Sequence, residues 1–218
     1  MQNLVGAAIM SVLLFVPAGT LQWPAAWVFL ATIVVLGTSG GMWLAKSDPG
    51  LFAERARPLI QDDQPPADKR VVLAFVFAAI AWILTIALDK RNHLSNMSPA
   101  LQVLGWATLV IYFGLTVWVM HENSFAAPVV KLQTERGHRV ISTGPYAIVR
   151  HPMYSVAILF FVGSSFLLGS WCGVATSVLC PLLCAIRIRI EERVLMEGLP
   201  GYADYAAKVR YRLVPGIW

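Results

Sequence analysis

Residues 71–88 read VVLAFVFAAIAWILTIAL, eighteen consecutive positions without one charged side chain. A helix of that length rises about 27 Å, close to the ~30 Å hydrocarbon core of a bilayer. At that depth no water is available to backbone polar groups, so a segment that crosses must bond them internally, and a helix does so. Five more apolar stretches flank it: Leu4 to Leu21, Trp23 to Ala45, Leu101 to Met120, Met153 to Leu168 and Trp171 to Ile186. The pattern predicts an all-α integral membrane protein of about six transmembrane helices. The short joints at Thr20 to Pro24 and at Leu168 to Trp171 predict that the first two and the last two spans form antiparallel hairpins.

Composition agrees. Apolar residues make up 57% of the 218 and charged residues 13%, against about 25% charged in a soluble domain. Too little polar surface is present to coat a water-soluble globule, and no length remains for a second soluble domain. The net charge of +5 sits in short blocks between apolar runs rather than on one continuous face, which favours a membrane surface over nucleic acid. Cys172, Cys180 and Cys184 lie in one apolar run without the spacing of a zinc site, so no metal is expected. Met1-Gln2-Asn3 lacks the basic start of a cleaved signal peptide, and a retained first helix is expected there.

Loop charges set the orientation. Of the seventeen lysines and arginines, fifteen fall in Lys46 to Arg70, in His121 to Arg150 and in the tail from Arg187, all on one side of a six-span arrangement. Lys and Arg near span ends stay on the cytoplasmic side. Both termini and the long loops are therefore expected in the cytoplasm. The loop at 46–70 carries Pro49, Pro58, Pro65 and Pro66, which argues against a long regular helix. Glycines 37, 40 and 41 suggest close helix packing. The chain divides into a four-helix membrane region, 1–121, and a chemistry-bearing region, 122–218.

In that second region Glu122 to Tyr154 reads ENSFAAPVVKLQTERGHRVISTGPYAIVRHPMY, polar and aromatic residues set against the start of a membrane helix. Thr143-Gly144-Pro145-Tyr146 is a turn signal. Pro152 suits the first turn of the fifth helix, with His151 at the cap. Such a helix start offers unpaired N–H groups to an anion, and Arg150 and His151 add positive potential. Tyr154 follows on a similar face. Interfacial anchoring accounts for any one of these residues, but hardly for all of them within eleven positions. Beyond the sixth span, Arg187-Ile188-Arg189-Ile190-Glu191-Glu192-Arg193 puts charges where a helix leaves the bilayer, and these must be paired, hydrated or functional. The stretch Gly201 to Arg212 reads as an amphipathic interfacial helix with Tyr202, Tyr205, Ala206 and Val209 on one stripe.

These residues resemble the isoprenylcysteine carboxyl methyltransferase family, which shares its carboxyl-terminal architecture with membrane phospholipid N-methyltransferases. The marks are Asn123, Phe125, Gln133, Gly144-Pro145-Tyr146, Val149-Arg150-His151-Pro152, Tyr154, Arg187 before Glu191-Glu192, Tyr202, Tyr205 and the ending Arg210-Tyr211-Arg212-Leu213-Val214-Pro215. Val156 stands where that family commonly has Gly. The resemblance implies an S-adenosylmethionine-dependent methyltransferase. Its cofactor would bind between the last hairpin, the loop of Gly144, Pro145 and Tyr146 and the tail, open to the cytosol, while a lipophilic acceptor enters from the bilayer. It further implies that Gln133, Gly144, Tyr146, His151 and Tyr154 line the cofactor pocket, that Glu191 and Glu192 close it, and that Arg187 orients a substrate carboxylate. Arg187, Glu191 and His151 are the expected catalytic residues, a base being needed only for an amine or thiol acceptor. The rival expectations are an NADPH-dependent membrane reductase of sterol-reductase type and a non-catalytic membrane protein.

Overall fold

A computed structural model describes residues 2–218 of the chain, with side chains from Val5 onward. Met1, in the stretch expected to be retained, lies outside the described residues. Helices occupy α1 (Gln2–Ala18), α2 (Pro24–Ser47), α3 (Pro49–Arg55), α4 (Pro66–Asn92), α5 (Pro99–Glu122), α6 (Pro152–Leu167), α7 (Trp171–Thr176), α8 (Leu179–Gly198) and α9 (Tyr202–Lys208), and no strand occurs among the described residues. Proline opens α2, α3, α4, α5 and α6. At that position its missing N–H costs nothing and its fixed φ is already helical.

Four helices are long and apolar enough to cross a membrane: α2, α4, α5 and the run Trp171–Gly198 made of α7 and α8. The expected first and fifth spans are the shorter apolar helices α1 and α6. With 16 residues, α6 rises about 24 Å, less than a full hydrocarbon core. The sixth expected span is interrupted between Thr176 and Leu179. Pro181 explains the break, because its ring clashes with the carbonyl four residues back, that of Ser177. In the loop at 46–70 the prolines do not prevent helix: Asp48 caps α3, its carboxylate accepting from the Leu51 N–H at 2.8 Å.

The described chain forms two compact units whose boundaries fall inside α2, α4, α5, α6 and α8. The first comprises residues up to Met42, Val76–Gly114 and Ala157–Pro181. Its core is aromatic and aliphatic, with Phe29, Leu14, Ile83, Ile86 and Leu109 fully buried. Trp82 donates its indole N–H to Ser165 Oγ at 2.9 Å and meets Phe161 edge-on at 4.9 Å. Gly105 and Gly163 permit a close helix approach: a Cβ at Gly105 would sit 2.3 Å from the Leu167 nitrogen and 2.6 Å from the Gly163 carbonyl oxygen. Large apolar side chains also point outward, Phe77 being 70% exposed, which suits lipid rather than water. At the end of α4 the buried Asp89 accepts from Ser95 Oγ at 2.6 Å and from Ser170 Oγ. Ser170 in turn caps α7 by accepting from the Gly173 N–H at 2.8 Å, so the buried carboxylate is paired, as burial demands.

The second unit comprises Trp43–Phe75, Leu115–Val156 and Leu182–Trp218, and it contains every residue singled out for chemistry. The tail helix is shorter than the expected Gly201 to Arg212 and stops at Lys208. Beyond it, the Arg150 and His151 N–H groups donate to the carbonyls of Tyr211 and Arg212 at 2.9 and 3.0 Å, and Ser155 Oγ donates to that of Leu213 at 2.6 Å. Backbone committed to those partners cannot continue as helix.

Candidate active site

The site begins with a turn that only glycine accommodates. Gly144 opens the 3-10 turn Gly144–Ala147 with φ 55°, and a Cβ there would lie 2.6 Å from Glu122 Cγ. Thr143 Oγ1 donates to Glu122 Oε2 at 2.7 Å, fixing the turn to the end of α5. Pro145 and Tyr146 are buried, and the Tyr205 hydroxyl donates to the Tyr146 carbonyl at 2.8 Å. Burial pushes the Tyr146 hydroxyl well above the ordinary tyrosine range, and that of Tyr205 to about 12. Both stay protonated donors at neutral pH.

Of the residues leading into α6, Arg150 and His151 do not leave their N–H groups for an anion, because both are spent on the tail. The Arg150 side chain is structural in the same sense. Its Nη1 donates to the carbonyls of Ala206, Val209 and Arg210 at 3.1, 2.8 and 3.3 Å, satisfying the open end of α9. Its Nε donates to Glu192 Oε1 at 2.7 Å.

Glu191 and Glu192, adjacent on α8, diverge around His151. Glu192 accepts from Arg150, from Arg212 Nε at 2.9 Å, and lies 3.3 Å from His151 Nε2. Glu191 accepts from the Tyr154 hydroxyl at 2.6 Å, and its Oε2 is 3.8 Å from His151 Nδ1. An ionised carboxylate only accepts, so a neutral His151 carries its proton on Nε2 and keeps the Nδ1 lone pair open. His151 and Tyr154 rings lie 5.7 Å apart. Close by, Tyr202 is 4% exposed and its hydroxyl finds no hydrogen-bond partner among the described residues. Burial, reinforced by the charges of Glu192 and Glu191, pushes that hydroxyl far up.

Arg187, one turn earlier on α8, is already engaged. Its Nε donates to Asp68 Oδ1 at 2.9 Å, and its Nη2 to the Pro128 carbonyl at 2.6 Å and to Asp68 Oδ2 at 3.4 Å. The guanidinium also lies 5.7 Å from the centre of the Tyr154 ring. Asp68 itself receives Gln64 Nε2 at 2.6 Å and the Val130 N–H at 3.0 Å. Behind it Lys131 Nζ donates to Gln61 Oε1 at 2.9 Å and pairs with Glu54. Burial pushes the Glu54 carboxyl up, but hydrogen bonds from Lys131 and Arg57 outweigh it and hold the group below the ordinary carboxylate range.

Gln133 is fully buried and holds the loop between α5 and the turn. Its carboxamide donates to the Phe125 carbonyl at 2.8 Å and accepts from Arg136, and its backbone N–H donates to His138 Nδ1 at 3.3 Å. His138 stacks on Phe125 at 4.6 Å. A cavity of about 350 Å³ opens beside them, lined by Glu122, Ser124, Phe125, Arg136, Gly137, Arg139 and Ile141.

The fold thus brings His151, Tyr154, Glu191 and Glu192 to one point, with Tyr202 beside them and with Gly144, Pro145 and Tyr146 tied in through Tyr205. Arg150 braces that point through Glu192, while Gln133 is bonded to Phe125, Arg136 and His138. Sequence reading missed Asp68, Lys131 and His138. Asp68 offered no signal beyond an acidic residue in the first turn of a helix, and its partner is 119 residues away.

Comparison with known proteins adds four likenesses. The sequence model of the phospholipid methyltransferase family matches residues 100–200. Over 155 residues the chain is 27% identical to protein-S-isoprenylcysteine O-methyltransferase B of Arabidopsis thaliana, covering 64% of this chain and 77% of that one. Over 140 residues it is 25% identical to the cobalt-zinc-cadmium resistance protein CzcN of Cupriavidus metallidurans, covering 64% of this chain and 58% of that protein. In three dimensions it is similar to the eukaryotic intramembrane Ras methyltransferase, an isoprenylcysteine carboxyl methyltransferase, with a TM-score of 0.59, 17% identity, and 96% of this chain and 75% of that chain covered.

Proposed function

We infer that this chain, which belongs to the isoprenylcysteine carboxyl methyltransferase family of membrane enzymes, related to the phospholipid methyltransferases, transfers a methyl group from S-adenosylmethionine to a lipophilic acceptor that enters from the bilayer. The observation that carries this reading is the meeting of His151 with both Glu191 and Glu192, at 3.8 and 3.3 Å, across 40 and 41 residues of chain. The buried Tyr202 hydroxyl, without a hydrogen-bond partner among the described residues and within reach of the Glu192 and Glu191 charges, fits a polar ligand there.

When bound, S-adenosylmethionine would supply a methyl group made electrophilic by the sulfonium that carries it. The protein's part is then positioning and exclusion of water rather than covalent chemistry. Gly144, Pro145, Tyr146, His151 and Tyr154 line the donor side, Glu191 and Glu192 close it, and Gln133 and Arg150 hold its walls. The His151 Nδ1 lone pair and the Glu191 carboxylate are the proton acceptors for an acceptor group that must lose a proton. Arg187 borders the acceptor side. The isoprenylcysteine-like carboxylate that the family resemblance implies is one acceptor class, and lipid amines are another.

In this reading α1 and α6 complete six spans, the last two forming a hairpin, and α9 lies in the interface. The region 1–121 anchors the chain, while 122–218 carries the catalytic elements. Both termini and the site face the cytoplasm, where the positive loops are retained.

Calorimetry with S-adenosylhomocysteine on purified protein tests the reading, with His151→Ala and Glu191→Ala expected to lose binding. Folded wild-type protein that ignores this ligand but gains thermal protection from NADPH would be a reductase instead.

A further inference from the structure

We propose that a cavity in the first unit, at the joints between α1 and α2, α4 and α5, and α6 and α7, binds the headgroup of a zwitterionic phospholipid, with Lys90 on the phosphate and Asp89 toward the ammonium. This goes beyond the methyltransferase reading and uses none of its residues. The cavity holds about 320 Å³ and is lined by Trp23 at the first joint, by Asp89, Lys90, His93 and Asn96 at the second and by Ser170 at the third. That volume is at the lower end of small-ligand sites, about 300–1,000 Å³, and gives room for a headgroup without its acyl chains. The chains have a place outside it: Leu21, Leu88 and Leu94, next to lining residues along the chain, are exposed.

Lys90 is out of place in two respects. With Arg91 it makes up the two cations that fall opposite the other fifteen in a six-span arrangement, where retention of positive charge on the cytoplasmic side disfavours them. Arg91 donates to the Pro17 carbonyl at 3.5 Å, whereas Lys90 has no hydrogen bond or ion pair among the described residues. Nor do the side chains of His93 and Asn96. Three donor side chains thus line one cavity with their hydrogen bonds unspent. The buried Asp89 takes the Ser95 and Ser170 hydroxyls, both on Oδ2, and a carboxylate has about four acceptor sites, so capacity remains. One charge of each sign in so small a space suits a ligand that carries both, and the carboxylate repels a bare anion.

The backbone supplies an independent observation. Each of the three joints turns through a left-handed residue: Gly19 (φ 69°) after α1, Gly169 (φ 78°) after α6 and His93 (φ 51°) after α4. His93 is the one residue other than glycine with positive φ among the described residues. It closes α4 in a Schellman turn, the Leu94 N–H donating to the Asp89 carbonyl at 3.3 Å. Glycine serves this position without steric cost, and a side chain kept there against that cost points to a function for it. The His93 side chain lines the cavity.

The test is native mass spectrometry of the full-length protein in detergent, titrated with phosphatidylcholine or with phosphatidylglycerol of the same acyl chains. Phosphatidylcholine keeps the readout apart from turnover, because its nitrogen is fully methylated. Wild type is expected to retain one phosphatidylcholine, more tightly than phosphatidylglycerol, and glycerophosphocholine, the same headgroup without chains, is expected not to displace it at equal concentration. Lys90→Ala should weaken this binding roughly tenfold, as loss of a charge-assisted hydrogen bond does. Arg91→Ala, which removes the same charge outside the cavity, should leave it unmoved. His93→Gly should weaken binding yet melt at or above the wild-type temperature, since glycine relieves the turn. Equal affinity for both lipids, a preference for phosphatidylglycerol, displacement by glycerophosphocholine, equal affinities of Lys90→Ala and Arg91→Ala, or a His93→Gly protein that binds normally or melts lower overturns the proposal.

Discussion

Arg150 Nε donates to Glu192 Oε1 at 2.7 Å, joining the residue that leads into α6 to a carboxylate on α8. Both side chains are nearly buried. The same arginine closes α9, and the same glutamate takes Arg212 from the tail. One ion pair therefore holds the turn, the helix and the last ten residues in register.

Glu192→Ala should cost stability heavily, because it leaves Arg150 buried without its counter-charge. Breaking one side of a buried pair costs about 3–5 kcal/mol, which in a domain of this size lowers the melting temperature by roughly 10 °C. Thermal unfolding in detergent measures it, and Glu192→Gln should lose less. An unchanged melting temperature for the alanine variant would mean that the tail is held by its backbone contacts alone.

Tyr154→Phe removes one hydroxyl and frees Glu191 from its 2.6 Å partner. Hydrogen bonds to charged groups are worth about 1.5–3 kcal/mol, so affinity for S-adenosylhomocysteine should weaken roughly tenfold or more. The fold should survive, since the ring remains. Wild-type affinity in this variant would exclude the pair from the ligand wall.

His138 makes the protein sensitive to mild acid. Burial lowers its pKa from 6.5, Glu191 opposes that, and Arg136 reinforces it. Its Nδ1 accepts from the Gln133 N–H, a bond that a protonated ring cannot make. The folded protein therefore binds this proton less readily than the unfolded chain does. The stability contribution is complete above the ordinary histidine value of about 6.5 and is lost as pH falls toward the lowered one. Melting temperatures measured from pH 7.5 down to pH 5 should fall more steeply for wild type than for His138→Asn. Parallel curves would contradict the assignment.

Gly105 and Gly114 lie on the same helix and should respond oppositely to alanine. At Gly105 the new Cβ meets backbone atoms of α6 at 2.3 and 2.6 Å, whereas at Gly114 nothing lies within 4 Å. Overpacking costs about 1–3 kcal/mol, so Gly105→Ala should melt lower. Gly114→Ala should match or exceed wild type, because alanine favours helix over glycine by about 1 kcal/mol. Equal loss in both would refute the close approach.

The sequence was most readable where one physical rule decides locally. The uncharged run 71–88 lies inside α4 and Pro152 opens α6 as expected, whereas Pro49 and Pro66, read as helix breakers in the loop at 46–70, open α3 and α4. It was less readable where two rules compete within a few residues. Trp171 to Ile186 is apolar throughout, yet Pro181 divides α7 from α8; the tail pattern is amphipathic to Arg212, yet the helix ends at Lys208 because Arg150 takes its last carbonyls. The site was legible in part: the run from Gly144 to Tyr154 and the pair Glu191-Glu192 announce a polar cluster at a membrane helix.

From sequence alone came the all-helical membrane class and the positions of most helices, because a bilayer and a proline act on neighbouring residues and leave a periodic trace. The partners of the charges were decided only in three dimensions. Asp68 reaches Arg187 across 119 residues, Glu192 reaches Arg150 across 42 and Lys131 reaches Gln61 across 70. A buried charge requires a counter-charge, but which one it finds depends on how distant helices cross, and no local pattern encodes that.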